Sequence, residues 1–474
     1  MFTRAQFLNI LVTSTSGLFL YPGILKTVAH KDELSIHLFG NNFKWGAATG
    51  AYQIEGAYDK DGKGPSIWDV FTHKKGKIND HSNGDISCDF YNKYYEDLQL
   101  LKSLNFDSFR FSVSWPRLLP NGTGTVNTKG IDFYNRVIDT CLELGIEPWI
   151  CLYHWDLPQA LEEKGGWANR DVVLWFEEYT RLCTFHFGDR VKNWMVLNEP
   201  LSFTSLGYLA GIHAPGHKSI NKFLASVHHA ALCQSTGGEI IRQNVEHANV
   251  GTTFSCSWID PKKSKPKFYR ATRRLDALIN RLFIEPTLGM GYPKDALPFL
   301  HKIEKFIHPG DLDKLKFDFD FIGLQNYFRV IGKPSLIPFI WAVNDKPDKD
   351  EALFTEMGWE VYPEGIYKIL ERFAQYPIKE ILISENGAAF NDIVTDERIH
   401  DPLRIQYFQQ YLLQILKAKN NGIPVKGYFA WTFTDNFEWA EGYKMRYGIV
   451  YNDFNNQKRI VKDSGLWFQS FLNR

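Results

Sequence analysis

Eight short apolar runs, each ending in polar or aromatic residues and separated by longer helix-like segments, constrain this chain more than any other feature. They are Phe43–Ala48, Ser108–Val113, Glu147–Leu152, Asn193–Leu197, Val250–Ser255, Phe321–Gln325, Ile381–Ser384 and Gly427–Thr432. Three of the intervening helices read directly from their spacing. Asp89–Leu104 puts Phe90, Tyr94, Leu98, Leu101 and Leu104 on one stripe. Lys129–Leu144 does the same with Tyr134, Val137, Ile138, Cys141 and Leu142, and Gly145 supplies a left-handed stop. Leu403–Ala418 follows Asp401 as N-cap and Pro402 at the first helical position, and ends near Gly422. Each helix is followed at once by a strand-like run, which is the pattern of a parallel sheet with outer helices. Eight such units suit closure into a barrel, so the fold expected is α/β, a single (β/α)8 TIM barrel. Gly40, Gly46 and Gly50 miss the G-x-G-x-x-G spacing, which argues against a dinucleotide site after the first strand. No low-complexity linker interrupts the pattern, so residues 38–474 are expected to form one catalytic barrel.

The composition is compatible with a large core and narrows the partners. Of 474 residues, 44% are hydrophobic, enough to bury a substantial interior. Lys and Arg total 54 and so do Asp and Glu. A chain that binds phosphate backbones carries a basic surplus, so no nucleic-acid partner is expected; the one basic cluster, Lys262–Lys267, reads as a solvated loop. The six cysteines (Cys88, Cys141, Cys151, Cys183, Cys233, Cys256) have no metal-ligand spacing and read as buried, reduced thiols. Residues 1–29 read as an export signal or an N-terminal extension: an apolar stretch follows Arg4, and Thr27-Val28-Ala29 offers a small-residue cleavage point. Export to the periplasm or beyond follows if that segment is a signal, and a cytoplasmic location if it is not. No other stretch has the 18 or so apolar residues of a spanning helix, so no membrane partner is expected. The oligomeric state is open.

In a barrel of this kind the C-terminal ends of the strands converge on one mouth, where the active site is expected. Taken in order, those ends carry Gln53 and Glu55, Arg110 and Trp115, His154-Trp155-Asp156, Asn198-Glu199-Pro200, Asn326-Tyr327, Glu385-Asn386-Gly387, and Trp431 with Asp435-Asn436-Phe437-Glu438-Trp439. His154 stands alone, so no metal site and no cofactor is expected. Two carboxylates at the ends of different strands, among amides and indoles, suit hydrolysis of a glycosidic bond. One must be protonated to release the leaving oxygen, and the other ionised to attack the anomeric carbon. A cation such as Arg110 beside Glu385 would keep it charged, while a less polar setting would raise the pKa of Glu199.

These residues resemble glycoside hydrolase family 1, the β-glucosidase family, from about Phe43 to Leu466. The matching stretches include Phe43–Gly56, Phe109-Arg110-Phe111-Ser112, Tyr153–Pro158, Asn198-Glu199-Pro200, Asn326-Tyr327, Ile383–Gly387 and Asp435–Trp439, in that order. The resemblance implies a retaining β-glycosidase, a β-glucosidase first of all, with Glu199 as acid/base and Glu385 as nucleophile. It implies that Gln53, His154, Asn198, Tyr327, Trp431, Glu438 and Trp439 hold the sugar, and that Arg110, Asn326 and Tyr327 orient the nucleophile. The partner it implies is a small β-glycoside or oligosaccharide, unphosphorylated because Glu438 would repel a phosphate. The same residues would serve a transglycosidase or an enzyme preferring β-galactose or β-fucose. Val196, Thr432, Thr434 and Tyr447 depart from the commoner family residues. The segment Arg329–Phe354 carries no readable role, and Trp341 within it reads as a packed loop tryptophan rather than a stacking platform.

Overall fold

The eight apolar runs become eight parallel strands: β1 (Lys44–Ala48), β2 (Ser108–Ser112), β3 (Glu147–Tyr153), β4 (Asn193–Asn198), β5 (Asn249–Ser255), β6 (Phe321–Gln325), β7 (Ile381–Asn386) and β8 (Val425–Trp431). The structure is a computed structural model that describes residues 34–347 and 352–473. The segment 1–29, read above as a signal or extension, lies outside the described residues. Each strand pairs with its neighbours in chain order, and β1 pairs with β8, from Lys44 beside Gly427 to Ala48 beside Trp431. The sheet is therefore a closed barrel without an edge, as the eightfold alternation predicts.

Helices α1 (Phe90–Ser103), α2 (Thr128–Glu143), α3 (Val172–Phe187), α4 (Ile220–Asn244), α5 (Pro266–Asp276), α6 (Glu364–Phe373) and α7 (Pro402–Asn420) lie between successive strands, and α8 (Asp463–Phe471) follows β8. The three helices read from the sequence sit within two residues of their expected ends, and Gly145 and Gly422 have φ of 64° and 84° as left-handed stops. At the start of α7, Asp401 holds the N-cap position but caps nothing. Its carboxylate instead accepts from Ser464 and pairs with Arg404 in a buried ionic network. That network continues through Asp392, Lys462 and Asp435 to Arg446. It ties the loop after β8 to a C-terminal hairpin, Val450–Asp453 with Lys458–Val461.

Two apolar regions result. The larger fills the space between sheet and helices. The smaller lies inside the barrel, where Trp149 meets Phe321 and Phe429 edge-on with centroids 5.6 and 5.3 Å away. A Cβ on Gly46 would lie 2.3 Å from the Phe429 ring, so only glycine lets β1 pass there. This plug closes the barrel below the strand ends and leaves the mouth open above.

Away from the mouth, all six cysteines are free and buried, and burial pushes each thiol up, that of Cys88 and Cys151 to about 11. Residues Lys263–Lys267 are exposed. Trp341 is not packed as expected: it is 47% exposed, just before the last strand of the small sheet formed by Ile259–Pro261, Val330–Pro334 and Ala342–Asp345. Among the described residues no helix is long and apolar enough to cross a membrane.

Candidate active site

Parallel strands end together, so side chains at or beyond the ends of β3, β4, β5, β6, β7 and β8 meet in one cavity of about 1200 Å³, its open mouth included. Its walls include His154, Asn198, Glu199, Tyr327, Glu385, Trp431, Glu438 and Trp439. Of the residues expected at the site, Gln53, Arg110 and Asn326 stand just behind this wall.

Arg110, on β2, is wholly buried and organises the cavity floor. Its Nη1 donates to Glu385 Oε1 at 2.6 Å, its Nη2 to Asn198 Oδ1 at 2.5 Å, and its Nε meets Met195 Sδ at 2.9 Å. The Tyr327 hydroxyl donates to the other oxygen of Glu385, Oε2, at 2.7 Å. Both oxygens of Glu385 are thus fixed by one donor each. Asn198 Oδ1 also accepts from Gln325 Nε2 at 2.7 Å and Thr253 Oγ1 at 3.1 Å. Its Nδ2 group donates to His154 Nε2 at 3.0 Å. An accepting Nε2 leaves the imidazole proton on Nδ1, which has no partner among the described residues.

Asn326 is placed differently from the expectation. Its Nδ2 donates to the carbonyls of Cys256 at 2.9 Å and Phe328 at 3.4 Å, not to Glu385. It reaches β7, the strand of Glu385, only through its own carbonyl, which accepts from Asn386 Nδ2 at 2.6 Å. Its Nδ2 holds the loop that carries Tyr327, while its Oδ1 has no partner among the described residues.

The two glutamates differ in what faces them. Burial and the charge of Glu385 push Glu199 up to about 8, against the hydroxyls of Ser202 and Ser255 and the more distant Arg110. At neutral pH Glu199 therefore holds a proton. Glu385 is also raised, by burial, while Arg110 and Tyr327 pull it back. The expectation that Arg110 favours the anion is met in direction, but burial outweighs it. His154 is held well below the usual imidazole range by burial and by Arg110, so it is a neutral ring. Burial and three neighbouring glutamates, Glu385 first, hold Glu438 well above the usual carboxylate range.

Glu438 lies 3.5 Å from Gln53 Nε2, which also meets Asn436 Oδ1 at 3.4 Å, while Gln53 Oε1 has no partner among the described residues. A buried polar atom without a partner costs about 1–3 kcal/mol, so amide and imidazole atoms of this kind suit a ligand rich in hydroxyls. Trp431 and Trp439 flank the His154 ring at 5.9 and 5.7 Å, and Trp155 packs on Trp439 at 4.5 Å. Trp155, Glu199 and Trp439 all have positive φ, at 83°, 45° and 48°. Non-glycine residues in the left-handed region are uncommon, and three at one mouth mark a place where aiming side chains outweighs backbone preference.

Several lining residues carry no motif and escaped sequence reasoning: Met357, Trp359 and Glu441, with Leu206, Ile212 and Ile279. Tyr447, noted only as a departure, faces the cavity, and its ring lies 6.1 Å from that of Tyr327. Val196, another departure, is turned away: a Cβ on Gly237 of α4 would lie 2.6 Å from its Cγ1, so it serves helix packing. Among the described residues no three His, Cys, Asp or Glu side chains gather as a metal ion would require.

Comparison with known proteins places this arrangement among relatives. The sequence model for glycosyl hydrolase family 1 matches residues 36–474. The chain is 43% identical over 447 residues to a protein of Thermotoga maritima named Beta-glucosidase A, covering 93% of this chain and 98% of that one. It is 42% identical over 442 residues to a 1,4-beta-D-glucan glucohydrolase of Thermotoga neapolitana, with 92% and 98% covered. The solved structure of the Thermotoga maritima β-glucosidase in complex with glucoimidazole superposes with a TM-score of 0.88 at 43% identity, covering 92% of this chain and 98% of that one.

Proposed function

The chain belongs to glycosyl hydrolase family 1, and we propose that Glu199 and Glu385 divide the work of its glycosidase reaction as acid/base and nucleophile. It is a retaining β-glycosidase of the β-glucosidase kind, acting by double displacement through a covalent glycosyl-enzyme. The observation that carries the assignment of roles is the asymmetry of partners. Glu385 has a guanidinium on one oxygen and a phenol on the other, which favour its anion. Among the described residues Glu199 has no cation in contact, and it is pushed up to about 8, which keeps the proton that a leaving oxygen needs.

In the first step Glu385 attacks the anomeric carbon while Glu199 gives its proton to the departing oxygen. In the second, Glu199 has become a carboxylate, takes a proton from water, and that water displaces Glu385. Arg110 and Tyr327 hold Glu385 in line. Gln53, His154, Asn198 and Glu438 pair with sugar hydroxyls, and Trp431 and Trp439 supply the faces on which the ring stacks. Asn326 positions Tyr327 rather than touching the nucleophile. The substrate is an unphosphorylated β-glycoside, because the carboxyl of Glu438 offers no cation to a phosphate. Residues 38–474 act as one catalytic unit, with neither nucleic acid nor membrane as a partner.

A 2-deoxy-2-fluoro-β-glucoside with a good leaving group slows the second step and traps the intermediate. Peptide mass mapping should place the sugar on Glu385. A label on another residue, or an NMR time course with the α-anomer released first, would overturn the reading.

A further inference from the structure

Two neighbouring loops carry much of the cavity. Glu385 lies at the end of β7, and Trp431, Glu438, Trp439 and Tyr447 lie at the end of β8 or on the loop that follows it. Ladder pairing between these strands stops at Asn386 and Ala430, so beyond that point other contacts set the two loops against each other. They touch directly, since a Cβ on Gly387 would lie 1.8 Å from the Trp431 carbonyl oxygen.

One side chain spans both loops. Arg404, in the first turn of α7, is wholly buried, and its five N–H groups meet five acceptors. Its Nε donates to the carbonyl of Ala388, three residues past Glu385, at 3.1 Å. One Nη2 proton goes to the carbonyl of Arg446, the residue before Tyr447, at 2.8 Å. The remaining three go to carboxylates: two to Asp392, at 3.0 and 2.9 Å, and one to Asp401. Asp392 itself lies on the loop after β7. Lys462 repeats the bridge, donating to Asp392 and, at 2.7 Å, to Asp435 on the loop after β8. Asp435 also accepts from the Gly448 backbone at 2.9 Å and precedes Asn436, which Gln53 meets.

A buried ionic cluster is weak evidence for stability, because the cost of taking its charges out of water offsets much of their attraction. Its distinguishing property is direction. A planar guanidinium with every N–H engaged fixes where its acceptors stand, which an apolar contact of the same size does not. Arg404 does not line the cavity, yet it holds the backbone on both sides of the reacting groups. We propose that Arg404 is a positioning residue for attack by Glu385: through Ala388 and Arg446 it sets the loop of Glu385 against the loop that carries Glu438 and Tyr447. This rests on the role proposed above for Glu385.

The test uses 2,4-dinitrophenyl 2-deoxy-2-fluoro-β-glucoside, whose leaving group departs without a proton, so that the burst reports attack by Glu385 alone. Burst amplitude counts competent sites, and the limiting rate constant measures attack within them; incomplete folding lowers the first and not the second. In the full chain, Arg404→Lys keeps the charge but cannot reach both carbonyls, and should lower the rate constant ~10-fold. Arg404→Met should lower it ~100-fold, the cost of a displacement of about 1 Å, with the half-saturating concentration within ~3-fold of wild type. Arg170→Met is the comparison: Arg170 forms a two-pronged pair with buried Asp311, at 2.8 and 2.6 Å, and neither lines the cavity. Its loss should lower the urea midpoint and leave the rate constant unchanged. Rate constants within ~2-fold of wild type in both Arg404 variants would overturn the proposal, whatever their amplitudes. So would failure of both variants to give any competent site beside an active wild type, which would make Arg404 a folding residue only. No burst from the wild type would instead bring down the glycosidase reading on which the proposal rests.

Discussion

Replacing Arg110 by methionine should change the shape of the pH profile and not only its height. Arg110 is buried and its guanidinium is shared between Glu385 Oε1 at 2.6 Å and Asn198 Oδ1 at 2.5 Å. A hydrogen bond to a charged group is worth about 1.5–3 kcal/mol, a factor of about 10–150 in the balance between ionised and protonated carboxyl. Burial already raises Glu385, and Arg110 is the largest influence opposing it. Without the guanidinium the pKa rises further, and in the proposed mechanism Glu385 attacks only as an anion. We therefore expect kcat/KM on an aryl β-glucoside at neutral pH to fall by at least ~10–150-fold, with the deficit growing as pH falls. Raising the pH restores only part of it, because Glu199, pushed up to about 8, then begins to lose the proton that its proposed acid role requires. The bell should narrow from its acid side while its summit sinks. Arg110→Lys keeps the charge but not the two-pronged reach, and should fall between. The assay is kcat/KM from about pH 4 to pH 9, read as the limbs of the coupled pair. A profile scaled down uniformly, with the acid limb unmoved, would refute the electrostatic argument and leave Arg110 a spacer.

Glu199→Gln should lower turnover of methyl β-glucoside by ~10²–10⁴-fold yet leave a burst with 2,4-dinitrophenyl β-glucoside, whose leaving group needs no proton; equal loss on both would contradict the acid role. In the wild type kcat/KM should decline as the pH climbs through about 8, where Glu199 deprotonates. The Glu199 carboxyl, followed by ¹³C NMR, should titrate lower in Glu385→Gln because one facing negative charge is gone. Lys462→Met removes the cation shared by Asp392 and Asp435 and should cost about 3–5 kcal/mol in urea unfolding, although Lys462 touches no substrate; an unchanged midpoint would mean that Arg404 and Arg446 suffice.

The barrel was legible because its strands are covered on both faces. Segments such as Asn193–Asn198 are buried throughout and stand out as apolar runs whatever surrounds them. Much of the candidate site was legible for a related reason: Gln53, His154, Asn198, Glu385 and Trp431 each lie at or beyond a strand end, so their position along the chain fixes their position in space. The rest lies on long connections, where spacing says nothing. Leu206 and Ile279 reach the cavity only because π-turns rotate them there, and no periodicity announces a π-turn. Met357 and Trp359 come from a loop between β6 and α6 whose path is set by what it packs against. Trp341, in the same stretch, draws the eye as an indole but sits half exposed. Asp401 had the residue type and position of a helix cap, and a tertiary ion pair with Arg404 claimed its carboxylate instead.

The pairing of β1 with β8 also decides when the pocket comes into being. Gln53 and Glu438, 385 positions apart in the chain, approach through the seam where the first strand meets the last. During synthesis, six or seven staves and their helices can assemble while the meeting of Gln53 with Glu438 does not yet exist. Recovery of hydrolysis after dilution from denaturant should consequently lag behind recovery of helical circular dichroism, and the interval between them times the locking of that seam.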